Sequence, residues 1–144
     1  MKIITVINEN EDERIEIHSH KRDALVEQIE ELVNNYGVNI NGYRDDEIVP
    51  LKPEEIFRVY VSSNKVFAST DSGEYQLKYR LYRLEEMLGE QFIKVNQSTL
   101  VNKKKIKKFS SSWGGSLIVE LKNGETDFIS RRQQKTVMER MGVK

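Results

Sequence analysis

The spacing of apolar and polar positions changes period once in the first part of the chain. Residues 2–8 form an apolar, β-branched run and residues 14–19 alternate apolar with polar side chains, so both predict strands. From about residue 21 the apolar positions recur at helical spacing, and Gly37 follows where a C-terminal cap would sit. We therefore predict two strands and then a helix over residues 21–36. The apolar stripe of this helix consists of Leu25, Ile29, Leu32, Val33 and Tyr36.

The remainder of the chain mixes short strand patterns with small helical ones. Asn123-Gly124 is a strong hairpin signal, because both residues tolerate the positive φ angles of a tight turn. We predict strands over residues 56–61, 65–70, 74–79 and 92–95, a hairpin over 116–130, and helices over 81–89 and from 131 onward. The predicted fold class is α+β and mainly β. A small β-β-α extension over residues 1–50 precedes a β-rich domain over residues 51–144.

Composition narrows the class of protein. Of the 144 residues, 38% are hydrophobic and 32% charged, as in soluble globular domains, and no run of about 18 apolar residues is present to span a bilayer. The chain has no cysteine, which excludes disulfides and cysteine-ligated zinc. The start turns acidic within a few residues and lacks the apolar core of a signal peptide, so we expect a cytoplasmic protein.

The formal net charge is zero, but the two halves of the chain differ. Residues 1–57 carry 6 Lys and Arg against 14 Asp and Glu, whereas residues 58–144 carry 17 against 9. Five lysines fill residues 103–108, interrupted only by Ile106. Such a cluster either is a solvated turn in which Ile106 fills the core, or faces a polyanion. The charge split favours a nucleic-acid role for the basic half.

Three phrases occur in the basic half in a fixed order. They are PEEIFRVYVSSNKVFASTDSGEY (53–75), LYRLEEMLGEQFIKVNQSTLVNKKKIKKF (81–109) and LKNGETDFISRRQQKTV (121–137). Together they resemble the LytTR family of DNA-binding domains, found in bacterial transcription regulators. The resemblance implies an elongated antiparallel β domain whose loops enter successive major grooves of double-stranded DNA. It also implies that phosphates supply most of the affinity, and that the protein is a sequence-specific transcriptional regulator.

The resemblance further implies site residues at three corners: the loop between the opening strands, the segment before the motif's serine, and the Ser-Arg-Arg corner. Amides and guanidinium groups can read base edges bidentately. The expected base readers are Asn64, Lys65, Asn96, Gln97 and Arg132. The expected phosphate contacts are Lys94, Lys103, Lys104, Lys105, Lys107, Lys108, Ser130 and Arg131.

Each of these assignments has a structural alternative. The amides can be ordinary loop polarity, and Arg131 can form a salt bridge to Asp127 or Glu125. We assign Ser98, Val101 and Asn102 to the scaffold, because an asparagine at a turn often bonds the main chain.

Other features carry weaker signals. His18 and His20 could face one side of a strand, but no further ligand stands at a convincing spacing, so we predict no metal site and no cofactor. Trp113 lies at a predicted hairpin tip, where it either stacks on a sugar or packs over a neighbouring loop. No phosphate-binding Gly-rich loop, nucleophile elbow or nucleophile–base pair is present, so we expect neither an enzyme nor a small-molecule substrate.

The N-terminal extension requires a partner surface, because two strands and one helix cannot bury their own apolar face well. It either packs on the β domain or forms a homodimer, which would join two DNA contacts rigidly. The resemblance also implies a small membrane protein as a regulator of compact proteins of this type. The alternative function is a protein-interaction module or an antagonist of another regulator. RNA binding ranks third, because an exposed aromatic platform is not evident.

Overall fold

The computed structural model describes residues 1–35, 39–112 and 114–143, without the side chains of residues 34 and 35. Tyr36, Gly37 and Trp113 lie outside the described residues. The described part holds three α-helices: α1 (Ala24–Asn35), α2 (Leu81–Leu88) and α3 (Arg131–Arg140). It holds ten strands: β1 (Ile40–Arg44), β2 (Glu47–Leu51), β3 (Ile56–Ser62), β4 (Lys65–Thr70), β5 (Gly73–Leu77), β6 (Phe92–Asn96), β7 (Thr99–Asn102), β8 (Ile106–Ser111), β9 (Leu117–Leu121) and β10 (Thr126–Ile129).

The strands form two antiparallel sheets. The larger sheet has seven strands in the order β2-β1-β5-β4-β3-β7-β6, and the smaller has the order β10-β9-β8. Alternation along β3, β6 and β7 sends side chains into two separate cores. One core joins Val59, Leu100 and Phe92 to Leu84 and Leu88 of α2. The other joins Phe57, Ile93, Val95 and Val101 to the small sheet and to Val137 of α3. The mainly β, antiparallel fold class is confirmed.

Several predicted elements are confirmed close to their predicted bounds. α1 begins after Asp23, whose carboxylate accepts a hydrogen bond from the Val26 backbone N–H at 3.0 Å, as an N-cap residue does. The hairpin β9–β10 turns at Asn123-Gly124, where Gly124 has φ 89° and its N–H donates to the Leu121 carbonyl at 2.9 Å. α2 and α3 also match the helical spacing.

The hairpin β1–β2 was not predicted. Pro50 and the polar stretch before it argue against a strand, since proline cannot donate to a sheet ladder. The sheet accepts Pro50 because β2 is its edge strand and pairs with β1 alone. The hairpin continues the large sheet through the pairing of Gly42 with Leu77. The predicted domain boundary at residue 50 therefore falls inside β2.

The two N-terminal strands predicted at residues 2–8 and 14–19 are not formed, since neither segment has a strand assignment in the structure. Their apolar side chains project into solvent, with Ile3 91% exposed and Ile7 88% exposed. α1 is held against the rest of the molecule by buried Val26, while its Leu25 and Leu32 remain exposed. None of the helices in the described part is both long and apolar enough to cross a membrane.

Candidate nucleic-acid interface

Three segments that are distant in sequence meet at one end of β6 and β7. The β3–β4 turn consists of Ser63 and Asn64, with φ angles of 52° and 63°, which asparagine tolerates better than most residues. Next to it lies the β6–β7 loop, because the Val61 N–H donates to the Ser98 carbonyl at 2.9 Å. The start of α3 joins them through a 2.9 Å bond from the Ser130 N–H to the Val95 carbonyl. We call these three segments the reading end.

The reading end presents side chains that have no partner among the described residues. Exposed Asn64, Lys65 and Gln97, together with Arg131 and Arg132, take part in no side-chain hydrogen bond or ion pair within the described part of the chain. Half-buried Lys94 on β6 and half-buried Ser130, which precedes α3, lie beside them. Uncommitted amides and guanidinium groups on short, hydrogen-bonded loops are the groups that can read base edges.

Asn96 belongs to the scaffold of this end, since it is only 2% exposed and its amide is fully used. Its Nδ2 donates to Asp127 Oδ1 at 3.0 Å and to the Phe128 carbonyl at 2.9 Å. Its Oδ1 accepts from the Ser98 N–H at 3.0 Å and the Ser98 hydroxyl at 3.1 Å. Asn96 therefore fixes the loop that carries Gln97, and its own amide is committed to partners within the protein.

An ion-pair cluster ties the two sheets together beneath the reading end. Arg58 on β3 donates to Glu125 Oε2 at 2.8 Å and to Asp127 Oδ2 at 3.0 Å. Burial raises the pKa of Glu125, but hydrogen bonds from Arg58, Asn123 and Ser69 outweigh it and hold that pKa below its ordinary value. Both carboxylates are therefore committed to Arg58, and the alternative salt bridge from Arg131 is not formed.

The lysine cluster begins at the opposite end of the same strands. Lys103, Lys104 and Lys105 follow Asn102, the last residue of β7, about 13 Å along the strand from the β6–β7 loop. Lys104 Nζ forms an ion pair with Glu31 Oε2 of α1 at 2.7 Å. The structure therefore separates these three lysines from Gln97 and Arg132.

Two of the lysines have other contacts. Lys105 Nζ lies 4.7 Å from the centre of the Phe57 ring, a cation–π contact. On β8, Lys107 Nζ lies 3.6 Å from Glu120 Oε2, and Lys108 is exposed. Three of the five lysines of this cluster thus contact other side chains of the protein.

Asn102 anchors that opposite end as Asn96 anchors the reading end. It is 0% exposed, and its Nδ2 donates to the Ile56 carbonyl at 2.9 Å. Its Oδ1 accepts from the Lys104 N–H at 3.1 Å, which starts the short 3-10 turn Lys103–Lys105. The scaffold role that the sequence assigns to Asn102 is the one that it has.

Phe128 is a candidate that the sequence reasoning missed. It lies on β10 beside the reading end, 56% exposed, and its carbonyl accepts the bond from Asn96. An exposed ring at this place could contact a thymine methyl group or a sugar. The signal was the alternation in β10, where buried Ile129 requires its neighbour to point outward.

Comparisons with known proteins agree with this architecture. The model of the LytTr DNA-binding domain family matches residues 46–142. Two Staphylococcus aureus proteins, from strains NCTC 8325 and MRSA252, are each 34% identical over 99% of both chains and are named as uncharacterized HTH-type transcriptional regulators. A solved LytTr DNA-binding domain from Bacillus cereus has a TM-score of 0.68 and 19% identity, covering 72% of this chain and 96% of that one. This protein therefore belongs to the LytTR family of DNA-binding domains.

Proposed function

We propose that this protein is a sequence-specific regulator of transcription that binds double-stranded DNA through the reading end. The observation that carries the proposal is the reading end itself. Two backbone hydrogen bonds hold three loops together, and the side chains at their tips have no partner within the described residues. Family membership and the names of the relatives support the same conclusion.

The proposed base readers are the uncommitted side chains. Gln97 suits the N6 and N7 positions of adenine, and Arg132 suits O6 and N7 of guanine, because each pair is bidentate. Asn64 and Lys65 extend the contact from the neighbouring turn. Asn96, a predicted reader, acts in this proposal by holding the Gln97 loop in place.

Phosphate contacts set the register of the protein on the duplex. We assign them to Lys94, Ser130 and Arg131, which lie at or beside the reading end. Lys107 and Lys108 on β8 remain predicted phosphate contacts. Lys103, Lys104 and Lys105 contribute less in this proposal, since they lie at the far end beside acidic α1.

The regulator acts as a homodimer in this proposal. Exposed large apolar side chains support it, because nine of the fourteen in the described chain lie within the first 33 residues. Soluble monomers rarely expose apolar side chains in such a concentration. The membrane-protein regulator stays a prediction that no structural observation addresses.

Selection of bound sites from a random pool of duplexes tests the proposal. We expect enrichment of a short motif in two half-sites, one for each protomer. The Gln97→Ala variant is the matched comparison, and it should lose the preference at one position of each half-site while the remaining positions are kept. A parent protein that enriches no motif would overturn the proposed function.

The exposed apolar N-terminus also supports a second candidate, a protein-interaction module that does not bind DNA. Retention on random duplex at low salt separates the two, because non-specific DNA binding is electrostatic. Passage of the folded protein through such a column without delay would favour the interaction module.

A further inference from the structure

The first 20 residues contain segments with the amino-acid composition of strands, but the structure assigns no strand there. Met1, Ile3, Ile4, Val6 and Ile7 are between 70% and 91% exposed. Within residues 1–20, main-chain groups form one hydrogen bond with each other. It is the turn bond from the Glu11 N–H to the Asn8 carbonyl, at 3.3 Å. An apolar segment without a strand partner offers unpaired N–H and C=O groups to another strand.

The order of residues in this segment is close to a mirror image about Thr5. Reading outward from Thr5, Ile4 has Val6 as its counterpart and Ile3 has Ile7. An antiparallel ladder between two identical segments, centred on Thr5, therefore places β-branched side chains opposite β-branched side chains. At its ends it places Lys2 opposite Asn8, next to Glu9 of the other chain.

We infer that residues 2–8 pair antiparallel with the same residues of a second copy of this chain, with the two Thr5 residues opposite each other. This interface rests on the proposed function in one respect, because it gives a location to the homodimer. It does not require that the dimer bind DNA.

A second copy fits this segment better than a lipid surface does. The apolar run is followed by Glu9, Glu11, Asp12 and Glu13, all exposed. These carboxylates would be repelled by an anionic membrane. The mirror order, by contrast, is a property that a two-fold symmetric interface uses, since each residue meets its counterpart twice.

The exposed face of α1 is a second apolar surface in the same part of the chain. Leu25, Leu32 and Val33 are 46%, 73% and 41% exposed and share one side of the helix at i, i+7 and i+8. α1 is attached at the Lys104 end of the strands, away from the reading end. A second copy that also covers the exposed face of α1 would therefore lie away from the reading end.

Single cysteines test the register, because the chain contains no other cysteine. Opposed Cα atoms of a hydrogen-bonded antiparallel pair lie about 5.5 Å apart, within the range that a disulfide spans. We expect untagged Thr5→Cys to form a covalent dimer on mild oxidation. The matched control is Asn8→Cys, whose two copies would lie about 20 Å apart along the ladder and should stay uncoupled. Equal cross-linking of the two variants would overturn the inferred register.

Sedimentation of the full chain tests the interface itself. In the inferred ladder the two Thr5 residues form a hydrogen-bonded pair, so each Thr5 N–H bonds to the other chain. Thr5→Pro removes this N–H, which has no partner among the described residues of the single chain. We expect it to raise the dissociation constant of the dimer at least tenfold, with unchanged circular dichroism and thermal unfolding of the monomer. Asp12→Pro, in the exposed turn, should leave the dimer intact. A parent chain that sediments as a monomer at tens of micromolar, or a Thr5→Pro variant as dimeric as the parent, would overturn the inference.

Retention of the same proteins on duplex DNA keeps the two proposals separate. A dimeric parent that is not retained on duplex DNA would contradict the proposed function alone. A DNA-binding parent whose dimer is insensitive to Thr5→Pro would contradict the interface alone.

Discussion

The two ends of the strand pair β6–β7 carry similar residues and use them in different ways. Each end is fixed by a buried asparagine, Asn96 at one and Asn102 at the other. Beyond Asn96 the side chains of Gln97 and Arg132 are uncommitted, whereas beyond Asn102 the cation of Lys104 is paired with Glu31. At the more basic end, three of the five lysines contact other side chains of the protein. If the reading end binds DNA as proposed, cations without a protein partner are a better guide to the nucleic-acid surface than the density of positive charge.

The largest effect is expected from breaking the scaffold of the reading end. Asn96→Ala leaves Asp127, the Phe128 carbonyl and the Ser98 donors without their shared partner in a part-buried region. We expect a loss of about 2–4 kcal/mol in the free energy of unfolding, measured by urea titration. Gln97→Ala, one residue further, should change it by less than about 0.5 kcal/mol. Equal losses from the two variants would remove the distinction between scaffold and tip.

A smaller effect, on binding rather than stability, is expected at the tip of α3. Arg132→Lys keeps the charge but loses the planar fork that grips a guanine edge. We expect it to weaken binding to the selected duplex by about 1–3 kcal/mol while its affinity for random duplex stays within about twofold. Fluorescence anisotropy with both duplexes measures the two changes. A parallel loss on both would mean that Arg132 contacts phosphate only.

The ion pairs of Arg58 make the stability of the folded protein depend on pH. Because the folded-state pKa of Glu125 is lowered from 4.5, its contribution to stability is present above that value and is lost as the pH falls through the lower folded-state pKa. Glu125→Gln should therefore be less stable than the parent at neutral pH, and the difference should shrink below pH 4.5. Thermal unfolding across this range measures it, and a constant difference would contradict the assignment.

The smallest expected effect compares one cation from each end. Arg131→Ala should reduce the slope of log affinity against log salt by about one unit, since each phosphate contact releases a counterion. Lys104→Ala should leave the slope unchanged, because its ammonium already has a protein carboxylate as partner. Anisotropy titrations over a range of salt concentrations measure both. If Lys104→Ala reduced this slope more than Arg131→Ala does, the duplex would have to contact both ends of the strand pair.

Local sequence patterns predicted the elements whose stability is local. The spacing in α3 and the Asn123-Gly124 turn depend on near neighbours, and the structure has both. The strands at residues 2–8 and 14–19 were predicted by the same kind of signal and are absent, because a strand also needs an edge to pair with, which no local pattern reports. At Pro50 a strand is present that was not predicted. Proline lacks an N–H for the ladder, but on the edge strand β2 this does not break a hydrogen bond between strands.

The site was predictable to a similar extent. Side-chain chemistry and family resemblance identified the loops that carry Asn64, Gln97 and Arg132, and hydrogen bonds bring those loops together. The pairing of Lys104 with Glu31 joins residues 73 positions apart, and no spacing rule predicts such a contact. The burial of Asn96 was not predicted for the same reason, since its amide nitrogen bonds to Asp127 and Phe128 of β10.

The division of labour between Asn96 and Gln97 has a consequence for how proteins of this build can diverge. The side chains at the tip make no hydrogen bond or ion pair within the described residues. If they read bases as proposed, substitutions there would change which operator is preferred without lowering the amount of folded protein. Duplicated copies of such a gene could acquire separate targets through a few neutral-to-stability replacements at residues 64, 97 and 132. Asn96 does not have this freedom, because a replacement there would have to satisfy the partners of four hydrogen bonds.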